Sequence, residues 1–382
     1  MVRTDYTLPK GLQKLYCYAR YCIHLFHQKL NPTHIVPPFP DISLDIKAEL
    51  HQLVTSIYDA SHNIRHLSWS AESVIDHLSR RTDLDSLLNE YGPSPVDADQ
   101  KSHLPIVLEA CCFLDTMGRL VAWHLPSCVA RSRIASFFDA IQRIVESPSS
   151  KHPFGRGAYF PENFSDGHDL PHGIAHIFPA LFVSNPPCLS PSKSFVSSKY
   201  CGYELLSEIA DTIAIVGTVI AVIHPHQFFA SLSIYEQLHL GRTTINNRWT
   251  FEEVMALWST PSTDLIIFNN YHPHSERSTR LAHYAFETML CAGTSSNNRL
   301  VFPTLGHEFY FDPGTLFVSM NSILPHSWSC ADLDSVVAVG SFNRHLISHV
   351  HPTLCHTLSL SHVSDGSYPA IPKASLTPFL SM

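Results

Sequence analysis

The chain has 382 residues, of which 45% are hydrophobic and only 15% charged, so it can bury a large core and has no long solvating tract. Its formal net charge of −8 excludes a general attraction for polyanions, and a nucleic acid would need a local basic patch. Ten cysteines without a Cys-x-x-Cys pair argue against a zinc knuckle or a disulfide framework. With no signal-like apolar run at the N-terminus, these features predict an intracellular protein.

The first hundred residues are predicted to be mainly helical. Apolar residues at three- and four-residue spacings predict helices over 8–29 and 42–90, separated by a proline-rich link over 31–40. His24 and His27 lie one turn apart in the first helix. With no third ligand nearby, we prefer a packed or surface pair to a metal pair. Turn residues then predict a boundary that divides the chain into an N-terminal helical region, 1–100, a second domain, 101–362, and a C-terminal tail, 363–382.

The second domain begins with a predicted hairpin over 105–113 and 120–125, followed by a helix over 129–147 and strand-like sequence over 173–183. Two helices, 202–223 and 227–239, are separated at His224-Pro225, because proline disfavours helix at the preceding residue. The most apolar window, 209–223, is shorter than the ~20 residues that span a bilayer, so it predicts a buried helix and no membrane association.

After Trp249 the sequence predicts a chain that is nearly all β. The predicted strands are 263–271, 283–292, 298–302, 307–311, 314–319 and 334–342. Short strands separated by glycine and proline turns, such as Asp312-Pro-Gly314, are typical of a sandwich or a jelly-roll barrel. The chain as a whole is therefore predicted to be α+β, with helices flanking this core.

A His-x-Glu pair follows the first of these strands. His274 and Glu276 are two residues apart, so on an extended chain their side chains point to the same face. Of the 26 histidines, His274 alone has an acidic residue two positions later. An imidazole and a carboxylate so placed form two thirds of a 2-His-1-carboxylate site, which binds Fe(II) in non-haem oxygenases.

Two residues further along the chain could complete such a site. His326 lies 50 residues after Glu276 and is the candidate for the third ligand. Arg344 ends a strand-like run 18 residues later, and its planar guanidinium could pair with the distal carboxylate of 2-oxoglutarate. Taken singly, His326 is more often structural and Arg344 more often a surface ion pair. Their joint order on a strand-rich domain favours the functional interpretation.

Other histidines are weaker candidates for metal ligands. His272 shares the face of His274 and Glu276 but has no carboxylate two residues later, so it is the weaker ligand. The pairs His224 with His226 and His349 with His351 lack nearby acids and are interpreted as structural. A helical metal motif over 167–176 is disfavoured by Pro171 and Gly173.

Beyond these residues, the sequence resembles the TET/JBP-type 2-oxoglutarate oxygenases, in particular their basidiomycete fungal branch. The likeness is carried by the segments 114–126, 172–179, 223–225, 269–276, 286–293 and 309–319, together with His326 and Arg344. These segments occur in the family's order over roughly residues 105–350, which is more specific than any one motif. The first hundred residues match less recognisably.

The resemblance implies a double-stranded β-helix, or jelly-roll, that binds Fe(II), 2-oxoglutarate and O2. It also implies oxidation of 5-methylcytosine in DNA, and therefore methylated DNA as a partner and a nuclear location. His274, Glu276 and His326 would be the iron ligands and Arg344 the 2-oxoglutarate anchor. The candidate basic residues for a DNA groove are Arg242, Arg248, Arg277, Arg280 and Arg299.

The sequence departs from the family at one ligand, since the usual His-x-Asp is His-Ser-Glu here. The sequence after the motif also lacks the usual glycine. Two alternatives therefore stay open beside an active DNA dioxygenase. One is a catalytically decayed relative that retains the fold, and the other is a related oxygenase that acts on a protein or a small molecule, which the acidic balance favours.

Overall fold

The structure is a computed structural model that describes residues 8–80, 84–92, 104–146, 173–184, 187–192, 195, 202–269, 285–329, 335–342 and 346. The helices in these ranges are α1 Lys10–Leu30, α2 Leu44–His62, α3 Ala71–Arg80, α4 Leu84–Tyr91, α5 Arg131–Glu146, α6 Gly202–Ile223, α7 Pro225–His239 and α8 Arg248–Leu257. The mixture of helices and sheets confirms the prediction of an α+β chain. The proposed boundary near residue 100 and the tail 363–382 lie outside the described residues, so the domain division stays a prediction.

The strands of the first half are short. They are β1 Ile64–His66, β2 Ile106–Val107, β3 Cys111–Leu114, β4 Leu120–Leu125, β5 Gly173–Ile177, β6 Leu181–Ser184 and β7 Pro187–Ser190. Strands β3 and β4 form the antiparallel hairpin that the sequence predicts. Strand β1 interrupts the predicted helical stretch 42–90, because Ile64–His66 pairs in parallel with β3.

The second half contains seven strands among the described residues, and most of their positions agree with the prediction. They are β8 Asp264–Asn269, β9 Glu287–Gly293, β10 Arg299–Phe302, β11 His307–Tyr310, β12 Leu316–Ser319, β13 Ser327–Ser329 and β14 Ser335–Ser341. Helix α8 is a correction, since the chain after Trp249 was expected to be nearly all β. Its Phe251, Val254 and Met255 are buried at helical spacing, a pattern that was present in the sequence.

The strands form two main sheets. The larger has the order β1-β3-β4-β12-β9-β14-β8-β5, and the smaller has the order β13-β10-β11-β2. From β8 onward the chain passes repeatedly between them: β8, β9, β12 and β14 belong to the larger sheet, and β10, β11 and β13 to the smaller. Aromatic side chains fill the space between the sheets, where Phe302 of β10 stacks on Phe317 of β12 with ring centroids 4.6 Å apart.

Helices α1, α2, α5 and α6 pack together with the larger sheet. Among the described residues, α6 is the one helix long and apolar enough to cross a membrane, yet 83% of its most apolar window is buried inside the protein. The prediction of a buried helix is therefore confirmed. Pro261 and Leu15 of α1 can pack closely against α6 at Gly217 because glycine has no side chain. A Cβ at this position would lie 2.5 Å from Pro261 and 3.1 Å from Leu15.

Candidate metal centre

His326 lies at the point where the chain enters the smaller sheet. It follows the turn after β12, in which the backbone N–H groups of Ile323 and Leu324 donate to the Met320 carbonyl at 3.0 and 3.1 Å. Pro325 comes next and restricts the backbone directly before His326. The side chain of His326 is only 8% exposed, so its ring is held inside the protein and not at its surface.

The hydrogen bond of His326 determines which ring nitrogen carries the proton. Nδ1 lies 3.1 Å from the carbonyl oxygen of Leu324, and a carbonyl oxygen can only accept. Nδ1 is therefore the protonated nitrogen, and Nε2 keeps its lone pair. Burial lowers the pKa of His326 to about 4, so the ring is neutral at neutral pH. This is the state of a metal-binding imidazole, in which a backbone carbonyl fixes the tautomer.

Aromatic rings surround this imidazole. The ring centroid of Phe302, on β10, is 5.3 Å from that of His326, and the two planes are inclined by 32°. The Trp328 ring, on β13, is 6.0 Å away at 23°. Trp328 in turn meets Phe268 of β8 edge-on at 5.1 Å. A metal ligand here would lie in an apolar environment with little competing water.

The remaining predicted site residues, His274, Glu276 and Arg344, lie outside the described residues, as does the rival ligand His272. The strands that lead to them are described. Strand β8 ends at Asn269, five residues before His274, and β14 ends at Ser341, three residues before Arg344. The two strands pair antiparallel, with Asn269 opposite Val336 and Asp264 opposite Ser341. Strand β14 therefore ends beside the start of β8, and not beside the end that precedes His274. The roles of these three side chains stay predictions.

No group of three or more His, Cys, Asp or Glu side chains is arranged to hold a metal within the described part of the chain. Two of the three predicted ligands belong to the segment 270–284, which that part does not include. His326 is therefore the one predicted ligand that lies within the described residues. Its neutral ring, with the proton on Nδ1 and no partner of Nε2 among the described residues, fits a metal ion.

The helical pair His24 and His27 gains a neighbour in the fold, because His34 of the proline-rich link packs against both. Nδ1 of His24 lies 3.0 Å from Nε2 of His34, and the two rings are inclined by only 5° with centroids 5.2 Å apart. That distance and that geometry fit an in-plane hydrogen bond, in which one imidazole donates to the other. A metal on the line between the facing nitrogens would need about 2.0 Å to each, so the nitrogens would be roughly 4 Å apart. A tetrahedral zinc would instead need the two rings to be inclined toward it. The packed interpretation is supported.

His224 shows how the fold uses an imidazole to stabilise a helix. His224 caps α7, since its Nδ1 accepts from the backbone N–H of Gln227 at 3.2 Å. Its proton therefore lies on Nε2, the reverse of His326. His226 is exposed, and His349 and His351 lie outside the described residues. Strand β5, Gly173–Ile177, confirms that the end of the segment 167–176 is not helical.

His124 of β4 was not singled out from the sequence, but it is completely buried between the sheets. Its Nδ1 lies 3.0 Å from the carbonyl oxygen of Glu109, and its Nε2 lies 2.9 Å from that of Tyr310 in β11. Burial lowers its pKa, while the two carbonyls act in the opposite direction. Both ring nitrogens lie against backbone carbonyls, so His124 links the two sheets, and neither nitrogen has room for a metal ion.

A buried acidic pair also escaped the sequence reasoning. Asp264 begins β8 and Glu287 begins β9, and they are 4% and 3% exposed. Ser341 of β14 donates a hydrogen bond to Asp264. Burial, with a smaller contribution from Asp264, raises the pKa of Glu287 to about 8, so the Glu287 carboxyl is largely protonated at neutral pH. The feature of the sequence that could have indicated Glu287 is an acidic residue in a mostly apolar strand, Phe286-Glu-Thr-Met-Leu.

The arginines proposed for a basic groove are not equally available. Arg248 donates to the carbonyls of Leu238 and His239 at the end of α7 and pairs with Glu252 at 2.5 Å, so it stabilises the helix terminus. Arg299 lies over the Tyr310 ring at 4.7 Å on the outer side of the smaller sheet. Arg242 is exposed. Arg277 and Arg280 lie outside the described residues.

Comparisons with known proteins add little to this geometry. No family model matches the chain, and no curated protein matches it either. Solved structures do match. One of them is "NgTET1 in complex with 5mC DNA", which is 12% identical, covers 78% of this chain and 90% of its own, and has a TM-score of 0.45. That likeness is too distant to assign a fold or an activity to this chain.

Proposed function

We propose that the protein is an Fe(II)- and 2-oxoglutarate-dependent dioxygenase of the TET/JBP type that oxidises the methyl group of 5-methylcytosine in DNA. The observation that carries the proposal is the state of His326: a buried, neutral imidazole with Nδ1 bound to a carbonyl and the Nε2 lone pair available. It occurs at the position that the order His-x-Glu, His, Arg requires of the third ligand.

The proposed fold is a double-stranded β-helix. In support, β8, β14, β9 and β12 are consecutive neighbours in the larger sheet, and β13, β10 and β11 are consecutive neighbours in the smaller one. This order agrees with two facing four-stranded jelly-roll sheets in which the described strands leave one position beside β13 unfilled. We propose that the chain between β8 and β9, which carries His274 and Glu276, takes that position.

His274, Glu276 and His326 would hold Fe(II), and Arg344 would pair with the distal carboxylate of 2-oxoglutarate. Bound Fe(II) with 2-oxoglutarate and O2 supplies the oxidising chemistry, with succinate and CO2 as co-products. The chain's own contribution is to present His326 as a neutral ligand and to surround it with the apolar rings of Phe302 and Trp328. A target base would leave the duplex stack to reach the site.

Glu276 is the residue on which turnover depends. Its additional methylene relative to aspartate displaces the carboxylate by roughly one C–C bond length, and a displacement of about 1 Å can cost 10²-fold in rate. We expect Glu276→Asp to bind metal and to turn over at least as fast as the wild type. A large loss in Glu276→Asp would mean that the site is built around glutamate.

The proposal is tested by incubating the full chain with Fe(II), 2-oxoglutarate, ascorbate and a duplex containing 5-methylcytosine. We expect oxidised cytosine and succinate from the wild type and neither from His274→Ala or His326→Ala. An absence of product, with the wild type equal to His274→Ala, would contradict catalysis and favour a decayed relative that keeps the fold.

A second candidate is an oxygenase of the same chemistry that acts on a protein or a small molecule. It is favoured by the net charge of −8 and by the engagement of Arg248 with a helix end and with Glu252. Under this alternative, 2-oxoglutarate turnover would be stimulated by a peptide or metabolite and not by methylated DNA. The same succinate assay with each class of substrate separates the two.

A further inference from the structure

We infer that Trp328 is a positioning residue that holds His326 in register with the strand leading to His274 and Glu276. This inference rests on the proposed function and adds a structural requirement to it. It concerns a tryptophan that is 6% exposed and belongs to β13, the strand that His326 directly precedes.

The need for such a residue follows from the sheet topology. His326 enters β13, which pairs with β10 in the smaller sheet. The His-x-Glu pair follows β8, which pairs with β14 and β5 in the larger sheet. Since β13 and β8 belong to different sheets, no ladder of backbone hydrogen bonds joins them in the described residues. Their separation must be determined by side-chain packing.

Trp328 makes the contacts that can determine it. On one side its ring lies 6.0 Å from the His326 ring, with the planes only 23° from parallel. On the other side it lies 5.1 Å from the ring of Phe268, at 71°. Phe268 is the penultimate residue of β8, and Asn269, where β8 ends, is five residues from His274. One buried side chain therefore contacts both the proposed ligand His326 and the strand that precedes His274 and Glu276 in the chain.

His326 makes one hydrogen bond within the described part of the chain, so its ring orientation depends on this packing. Nδ1 donates to the Leu324 carbonyl, but one bond at 3.1 Å does not by itself hold the ring in a single orientation. The near-parallel rings of Trp328 and Phe302 restrict that rotation. Loss of the Trp328 ring would widen the range of directions in which the Nε2 lone pair points, and metal affinity would fall.

The test uses four variants of the full chain: Trp328→Leu, Trp328→Phe, Phe268→Leu and the double variant Trp328→Leu with Phe268→Leu. Trp123→Leu is the matched control, because Trp123 is also buried but belongs to β4, whose neighbours are β3 and β12. Co(II) binding, followed by visible absorption without O2, gives the metal affinity, and thermal unfolding gives the stability of each variant.

We expect Trp328→Leu to weaken Co(II) binding 10- to 100-fold, the range seen when partners of metal ligands are removed. Phe268→Leu should act in the same direction, and the double variant should lose less than the sum, because both changes break one contact. Trp328→Phe should recover part of the affinity. Trp123→Leu should lose stability and keep the wild-type affinity. Equal affinity in Trp328→Leu and Trp123→Leu would overturn the inference.

A second measurement keeps the inference testable if the wild type binds no metal, which would defeat the proposed function. In metal-free protein labelled with 15N-histidine, the His326 ring should show one tautomer, protonated at Nδ1. In Trp328→Leu the loosened ring should leave the Leu324 carbonyl part of the time, so that both tautomers are populated and the 15N shifts of the two ring nitrogens approach each other. An unchanged His326 tautomer in Trp328→Leu would overturn the inference independently of any metal.

Discussion

His326 and His124 are both buried between aromatic rings, yet they are in opposite chemical situations. The His124 ring lies 5.3 Å from Phe309 and 6.1 Å from Phe317, and the His326 ring lies 5.3 Å from Phe302. Both of the His124 ring nitrogens face backbone carbonyls. Among the described residues His326 has one such contact, at Nδ1.

The difference shows that burial alone does not identify a metal ligand. Burial lowers the pKa of both histidines. What distinguishes them is the surroundings of the second nitrogen. In His124 it lies against the Tyr310 carbonyl of the smaller sheet, and in His326 it has no hydrogen-bond partner among the described residues. One imidazole is used for structure, and the other is available for chemistry.

The largest expected effect is that of His326→Ala on metal binding. Removal of a ligand should cost more than the 10- to 100-fold attributed to partners of ligands, so we expect a loss of more than about 100-fold in Co(II) affinity. The fold should persist, because His326 makes one hydrogen bond to a nearby carbonyl. Far-ultraviolet circular dichroism checks the fold, and retention of wild-type affinity would remove the distinction between the two histidines.

His124→Ala should have the complementary effect. At least one of the two carbonyls, that of Glu109 or that of Tyr310, would lose its donor, and such a loss inside a protein costs about 1–3 kcal/mol. With the cavity, we expect a loss of about 4 kcal/mol in the free energy of unfolding. Urea unfolding measures it. Metal affinity per folded molecule should stay near the wild-type value, and a large drop would mean that His124 also belongs to the site.

A smaller effect concerns the dependence of stability on pH. The pKa of His326 is about 4 in the folded protein and about 6.5 in an unfolded chain. As the pH falls from 6.5 to 4, the unfolded state takes up the proton first, so stability is lost across that window. At about 1.4 kcal/mol per unit of pKa difference, the His326 contribution is about 3 kcal/mol at pH 4.

The measurement compares urea unfolding of metal-free wild type and His326→Gln at pH 7 and pH 4.5. The comparison between variants is needed because Glu287 titrates in the opposite sense. Its pKa is raised to about 8, so its contribution falls as the pH rises from about 4.5 to 8. The wild type should lose more stability on acidification than His326→Gln, and equal losses would mean that His326 is not protonated on unfolding.

Much of the fold could be predicted from local patterns. The strands near 263–342 and the split between α6 and α7 at Pro225 follow from alternation, turn residues and proline chemistry. Strand β1 could not be predicted, because Ile64–His66 is extended only by pairing with β3, more than 40 residues away. Helix α8 was not predicted. Its apolar residues have helical spacing, but the helix is short and lies directly before a strand-rich sequence.

The candidate site was predictable in composition but not in detail. The order of His274, Glu276, His326 and Arg344 can be seen in the sequence. The tautomer of His326 cannot, because it depends on where the Leu324 carbonyl points after the turn that follows β12. The link from Trp328 to Phe268 is equally invisible, since it joins residues 60 positions apart in different sheets.

The most direct test of the central claim observes the two buried histidines in one sample. Zn(II), a diamagnetic stand-in for Fe(II), is added to protein labelled with 15N-histidine, and the His326 signals are assigned by comparison with His326→Ala. We predict that one equivalent of Zn(II) shifts the Nε2 resonance of His326 and leaves both nitrogens of His124 in place. A His326 resonance that does not respond to Zn(II) would contradict the assignment of this residue as a metal ligand.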